Sequence, residues 1–244
     1  MTLPVFLSDA VAGVAGGTSV LLDGDEGRHA ATVKRIRAGE QVVLTDGAGT
    51  SATCTVTDAA KSSLVLTVES TTFAERATPS ITVVQALPKG DRGELAVEVL
   101  TEIDVDRIVP WAASRSVAVW KGERAAKGLA KWRATAREAT KQARRSWLPE
   151  VAQLASIDDV VALIAAADLA VVLHEDADQP LAEVALEGVE SVVVIVGPEG
   201  GISDEELAAF SSAQAVRLGS SVLRTSTAGV AAVAAILSRT PRWR

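Results

Sequence analysis

From Ile81 onward, short β-branched runs alternate with stretches of helical periodicity. ITVVQALP, RIVPWAA, DLAVVLH, SVVVIV and QAVRLG each lead into a segment whose apolar residues recur at three- and four-residue spacing. Runs that are apolar at nearly every position must be covered on both faces, and a sheet with helices on each side does this. The pattern therefore predicts an α/β domain built on a mostly parallel sheet. Its helices are expected at DRGELAVEVLTEIDV, ERAAKGLAKWRATAREATKQARRSW, SIDDVVALIAAA, PLAEVAL (short), SDEELAAFSS and TAGVAAVAAILSR.

The residues before this pattern read differently. SVLLD, QVVLTDG, SATCTVTDA and SSLVLTVES alternate or run β-branched, with DG and GAG turns between them. These signals predict a small β-barrel, with one helix around EGRHAATVKRI. The polar, proline-containing TTFAERATPS separates the two patterns, which places domains at 1–73 and 74–244.

Composition narrows the chemistry. Cys54 is the only cysteine, so no internal disulfide and no cysteine-based zinc site can form, and His29 and His174 are too few for a multi-histidine metal centre. The N-terminus has no basic and apolar leader pattern. The longest apolar run, between Arg224 and Arg239, is 14 residues, against roughly 20 to span a bilayer. The expectation is a soluble, cytoplasmic protein without metal or membrane partners. The net charge is −7, yet Lys121–Trp147 holds nine basic residues against Glu123 and Glu138, a surplus of seven that leaves the remainder at −14. Within it Arg133, Arg137, Lys141 and Arg144 or Arg145 share one helix face. Such a stripe is either a solvated surface or a phosphate-backbone contact.

Three strand exits carry the candidate site. SVVVIV ends in GPEGG, and Ser203 with Glu206 forms a capping box that starts a helix. Glycines there permit positive φ and close approach to the main chain, as a tight turn alone also would. The spacing is neither GxGxxG nor GxxxxGK[ST], so dinucleotide and P-loop readings fail. QAVRLG runs into SSVLRTSTAG, and DLAVVL ends at His174 and Glu175. At the carboxyl edge of a parallel sheet these exits would meet, where α/β folds bind ligands.

GPEGGISDEEL followed by LGSSVLRTSTA resembles the signature of the SPOUT methyltransferases, and specifically the RsmE family. QALPKGDRGE, TEIDVDRIVPWAASRSV and EATKQARRSWLPE also match, and the first domain, with His29, Val33, Arg35, Gly39 and LTDGAG, resembles that family's PUA-like RNA-binding domain. Departures are Ser226 in place of the glutamate of the usual ETA, Val99 and Glu102-Ile103-Asp104 in place of a lysine and ELG, and no arginine before Phe6.

The resemblance implies a deep trefoil knot and S-adenosylmethionine as methyl donor, with N3 of a uridine in 16S ribosomal RNA of the small subunit as acceptor, in a homodimer. Residues implied at the cofactor are Leu173, His174, Gly197, Gly200, Gly201, Leu218, Gly219 and Leu223, with Leu218 and Leu223 sandwiching the adenine. Arg224 is expected to stabilise charge on the uracil oxygens. Glu199 is expected as base or as organiser of Arg224, or the two as a structural ion pair. RNA contacts are expected from Arg35, Lys89, Arg92, Arg115, Arg137, Lys141 and Arg145. A SPOUT enzyme acting on a ribose hydroxyl or another base, and a non-catalytic RNA-binding protein of this fold, are the alternatives.

Overall fold

A computed structural model of the chain describes residues 2–243, which divide into two compact units. The first comprises the residues up to Arg76 together with Thr140–Leu148. The second comprises Ala77–Ala139 and the residues from Pro149 on.

In the first unit five strands, β1 (Val5–Leu7), β2 (Ser19–Leu22), β3 (Gln41–Thr45), β4 (Thr50–Ala59) and β5 (Leu64–Phe73), pair in the order β1-β3-β4-β5-β2. Only β1 and β3 run parallel. β1 and β2 remain the two edges of the ladder, so the predicted barrel is a half-barrel. Alternation decides its core: Ala52, Cys54 and Val56 of β4 and Leu64, Leu66 and Val68 of β5 point inward. Burial, and secondarily the charge of Glu69, pushes the Cys54 thiol up to about 11, so it packs as a small apolar group. The expected helix is present as α1 (Gly24–Arg28), continued by a π-helical turn over His29–Val33.

The second unit is a seven-stranded sheet. In chain order its elements are β6 (Ser80–Ala86), α2 (Arg92–Glu102), β7 (Arg107–Trp111), α3 (Glu123–Gln142, of which the residues from Thr140 on belong to the first unit), β8 (Glu150–Val151), α4 (Ile157–Ala166), β9 (Leu169–Leu173), β10 (Gln179–Pro180), β11 (Ser191–Val196), α5 (Asp204–Ala209), β12 (Gln214–Arg217) and α6 (Thr225–Leu237). The strand order is β10-β12-β9-β11-β6-β7-β8, with every pairing parallel. The short helix expected at PLAEVAL is instead the two-residue β10 and a 3-10 turn over Leu181–Glu183. Pro180 fits an edge strand because it has no N–H to donate.

Successive residues of each strand feed opposite cores. Val83 and Val194 join Leu100, Trp132 and Ile236 on one face. Val84 and Ile195 join Trp111, Val172 and Phe210 on the other. The β-branched runs thus read as continuous apolar segments because both faces are covered.

Asp168 ties the starts of β9 and β11. Its Oδ2 accepts from the Ser191 hydroxyl (2.8 Å) and from the amides of Glu190 (3.1 Å) and Ser191 (2.9 Å). Led by the serine hydroxyl, these bonds hold the carboxyl below its ordinary value. A folded value below the unfolded one means the contribution is complete above the usual carboxylate range and is lost as pH falls through the folded value. Asp168→Asn is therefore expected to flatten the acid limb of stability, read from urea midpoints at stepped pH. An acid limb as steep as the parent's would show that Asp168 contributes nothing to it.

Candidate functional site

β12, β9 and β11 are neighbours in the sheet, so the loops leaving their carboxyl ends lie side by side. After β11 the chain turns sharply, with Gly201 N–H donating to Pro198 O at 2.9 Å and Gly201 at φ 75°. A side chain at Gly201 would strain the backbone whatever the free space. The capping box then starts α5: Glu206 N–H donates to the Ser203 hydroxyl, and Ser203 N–H to Glu206 Oε2.

The other two glycines of this loop have a different reason to be glycine. A Cβ on Gly200 would sit 3.0 Å from the backbone oxygen of Arg115, and one on Gly197 would sit 2.7 Å from Ile202 Cγ1. Their clearance is taken by protein atoms, so it does not serve ligand approach. Gly200 lies outside the cavity lining, while Gly197 and Gly201 are in it.

Neighbouring loops are fastened here. Buried Glu206 also accepts from Ser114 N–H at 2.7 Å. Arg115 Nη1 donates to Ile202 O at 3.3 Å. Lys89 N–H donates to Glu199 Oε1 at 3.1 Å. The loops after β6, β7 and β11 thus form one hydrogen-bonded shelf.

Above that shelf opens a cavity of about 810 Å³, within the range of small-molecule sites. Leu173, Val196, Leu218, Leu223 and Ala228 supply its apolar wall, and the glycine-rich main chain of the β11 and β12 exits supplies polar groups. His174 is in the lining and accepts from Asp176 N–H through Nδ1 at 3.2 Å, which leaves the proton of the neutral ring on Nε2. Gly219, at φ 129°, also lines the cavity, so all of the expected set except Gly200 is in its wall.

Arg224, Glu199 and Arg92 line the same cavity. Arg224 is the N-cap of α6 through its carbonyl, which accepts from Thr227 and Ala228 N–H, and its side chain is exposed. No Glu199–Arg224 ion pair forms among the described residues. The Glu199 oxygen is engaged by the Lys89 amide instead.

Sequence reasoning missed Arg217, whose guanidinium donates to the carbonyls of Ala177 (2.7 Å) and Asp178. It clamps the loop between His174 and β10 against the cavity wall. Only its place before Leu218 signalled it. Glu206 was legible as a cap, but its bond to Ser114 was not.

The basic candidates are distributed unevenly. Arg35 is exposed at φ 55°, and Arg137 is exposed on α3. Lys141 instead pairs with Glu26 at 2.9 Å with only 10% of its side chain exposed, and Arg145 is 8% exposed. These two face the interior of the first unit, so the end of the predicted stripe is internal structure. Among the described residues no three metal-ligating side chains cluster, and no helix is long and apolar enough to cross a membrane.

Comparison with known proteins agrees with this geometry. Residues 75–237 match the family model of the RNA methyltransferase domain, and residues 22–69 match that of the RNA methyltransferase PUA domain. The chain is 46% identical over 233 residues to ribosomal RNA small subunit methyltransferase E of Mycobacterium bovis, covering 93% of this chain and 89% of that one. It is 28% identical to the protein of the same name from Bacillus subtilis, over 91% of each chain. The crystal structure of ribosomal RNA small subunit methyltransferase E from Neisseria gonorrhoeae bound to S-adenosyl methionine superimposes with a TM-score of 0.87 at 28% identity, over 98% of both chains.

Proposed function

Since this chain belongs to the RsmE family of small-subunit ribosomal RNA methyltransferases, we propose that it methylates N3 of one uridine in 16S ribosomal RNA, with S-adenosylmethionine as donor. The observation that carries the reading is the single cavity made by the β9, β11 and β12 exits, with Arg224 and Glu199 in its wall. The cavity fits the donor chemically. Leu218 and Leu223 offer faces for a flat purine, and the main chain around Gly201 and Gly219 offers hydrogen-bonding groups without side chains in the way. When bound, S-adenosylmethionine supplies an electrophilic methyl group on a sulfonium.

Uridine N3 carries a proton and is a poor nucleophile until that proton leaves. Negative charge then develops on the flanking carbonyl oxygens, where a guanidinium stabilises it. In this reading Arg224 takes that role, and Arg92, which lines the same wall, holds the base or its phosphate. Of the two acids in this wall, Glu175 and Glu199, Glu199 is the one this reading assigns to accept the N3 proton, directly or through water. Its bond to the Lys89 amide orients it. Holding base and donor in line supplies much of the remaining acceleration.

The division into an RNA-gripping domain at 1–73 and a catalytic domain at 74–244 belongs to this reading, and Arg35, Arg115 and Arg137 are its outer RNA contacts. So do a cytoplasmic homodimer, supported by the exposed Val117, Val119, Val222 and Leu223 on loops bordering the site, and a trefoil knot. The knot is supported by the path of α6, which returns from β12 to pack on α2, β6 and β11.

The test is calorimetric titration with S-adenosylmethionine, followed by methylation of undermodified small subunits and mass analysis of the nucleosides. Saturable binding and N3-methyluridine are expected; a product methylated on ribose would overturn the acceptor assignment. Gly201→Val, forcing a β-branched residue to φ 75°, costs about 1–3 kcal/mol of backbone strain. It should weaken donor binding roughly tenfold or more. Parent-like affinity in a folded variant would remove the β11 exit from the donor site.

A further inference from the structure

In the first unit, β5 ends on an aromatic residue that burial does not explain. Phe73 is 58% exposed, although an aromatic side chain contributes to stability chiefly when covered. Its ring meets the Trp147 indole edge to face, with centroids 6.1 Å apart and planes at 76°. Trp147 is held by its Nε1–H, which donates to Ala74 O at 2.8 Å, and by a bridge to Ala48. A Cβ on Gly49 would lie 2.7 Å from both rings, so their placement depends on a glycine there.

The guanidinium carbon of Arg76 stands 4.0 Å from the centroid of the Trp147 ring. An arginine held against an indole keeps its plane fixed. Arg76 is exposed, as is Arg144, which adopts φ 56°. Arg144 precedes Ser146, whose hydroxyl is 3.1 Å from that of Ser51 on β4. Nearby acids offset this charge only in part. Glu75 is exposed, and Asp46 is occupied by the amides of Ala48 and Thr50.

We propose that Phe73, Trp147 and Arg76 form a stacking platform for an unpaired base of the RNA, with Arg144 contacting an adjoining phosphate. The proposal rests on the RNA-methyltransferase reading and adds to it a site outside the methyl-transfer cavity. Unstacked bases are held on aromatic faces and on guanidinium planes, and any base offers the π face this requires. A protein partner would gain from the exposed ring but would have no need of a guanidinium held over the neighbouring indole. Phe73 supplies an open ring, Arg76 a fixed cationic plane, and Arg144 a charge for the backbone.

The whole protein is titrated with a short labelled uridine-rich oligoribonucleotide and with small ribosomal subunits, with melting temperature as the check on folding. Phe73→Leu keeps apolar contact with Trp147 and removes the ring. Its affinity for RNA is expected to fall about 5- to 150-fold, the span for losing one base–aromatic stack, with an unchanged salt slope. Phe73→Trp should retain binding. Arg144→Ala should instead lower the slope by about 0.7, one single-strand phosphate contact. If the parent binds and methylates RNA while Phe73→Leu is indistinguishable from it, the platform falls and the enzymatic reading stands. If the parent binds neither probe, both fall.

Discussion

Arg224→Ala should lower kcat about 10²- to 10³-fold, the usual effect of removing one group that stabilises developing oxyanion charge, while donor affinity changes little. The separation follows from the site. On the proposed reading the apolar wall and the main chain of the β11 and β12 exits hold the donor, whereas Arg224, at the N-cap of α6, lines the same cavity with its side chain exposed. The carbonyl of Arg224 starts the helix, and alanine keeps that carbonyl, so the fold should survive. Arg224→Lys should recover only part of the rate, because an ammonium lacks the planar fork that can address a carbonyl oxygen with paired donors. Single-turnover methylation with saturating donor separates this loss from binding. A kcat within about threefold of the parent would exclude charge stabilisation by Arg224.

The largest expected stability change lies at Arg242, which is 2% exposed in its side chain. It donates to Asp104 Oδ2 and Asp106 Oδ2, each at 2.6 Å, and to the carbonyls of Asp104 (2.6 Å) and Pro79 (2.8 Å). Burial works against its charge, but the bonds from Asp104 and Asp106 outweigh this and hold the guanidinium above its ordinary value. Asp106 in turn accepts from Ile81 N–H at 2.7 Å, so the cluster fixes the start of β6. Arg242→Met leaves the nearly buried Asp106 carboxylate uncompensated and should cost about 3 kcal/mol, a fall in Tm of roughly 6–12 °C for a chain of this size. Asp106→Asn in the same background should recover part of the loss, since the stranded charge is then gone. A fall in Tm below about 2 °C would mean water replaces the arginine without penalty.

Much of the fold was legible because local periodicity reports burial directly. The runs ITVVQALP and SVVVIV became β6 and β11, and their unbroken apolarity meant cover on both faces. The capping box at Ser203 and Glu206 marked where α5 starts. The strand exits at Leu173, Gly197 and Leu218 reached one cavity, because parallel strands send all their carboxyl ends to the same edge. PLAEVAL misled because its apolar spacing suits a helix, while Pro180 and its neighbour Gln179 pair along β12 at the sheet edge.

What the sequence by itself determined about this protein is local: the class of each segment, the caps, and the residues that share a helix face. Tertiary structure alone decided what lies opposite those faces. Lys141 and Arg145 belong to a basic stripe by spacing, but Glu26, distant in the chain, makes the Lys141 end of that stripe interior. Gly197 and Gly200 look like room for a ligand until Ile202 and Arg115 are seen to fill it. Trp147 ends the segment expected as the basic helix, yet it lies beyond α3 and packs with Phe73 and Arg76 at the end of β5. Periodicity depends on neighbours three or four residues away, whereas these outcomes depend on contacts between residues many tens of positions apart, which no local pattern encodes.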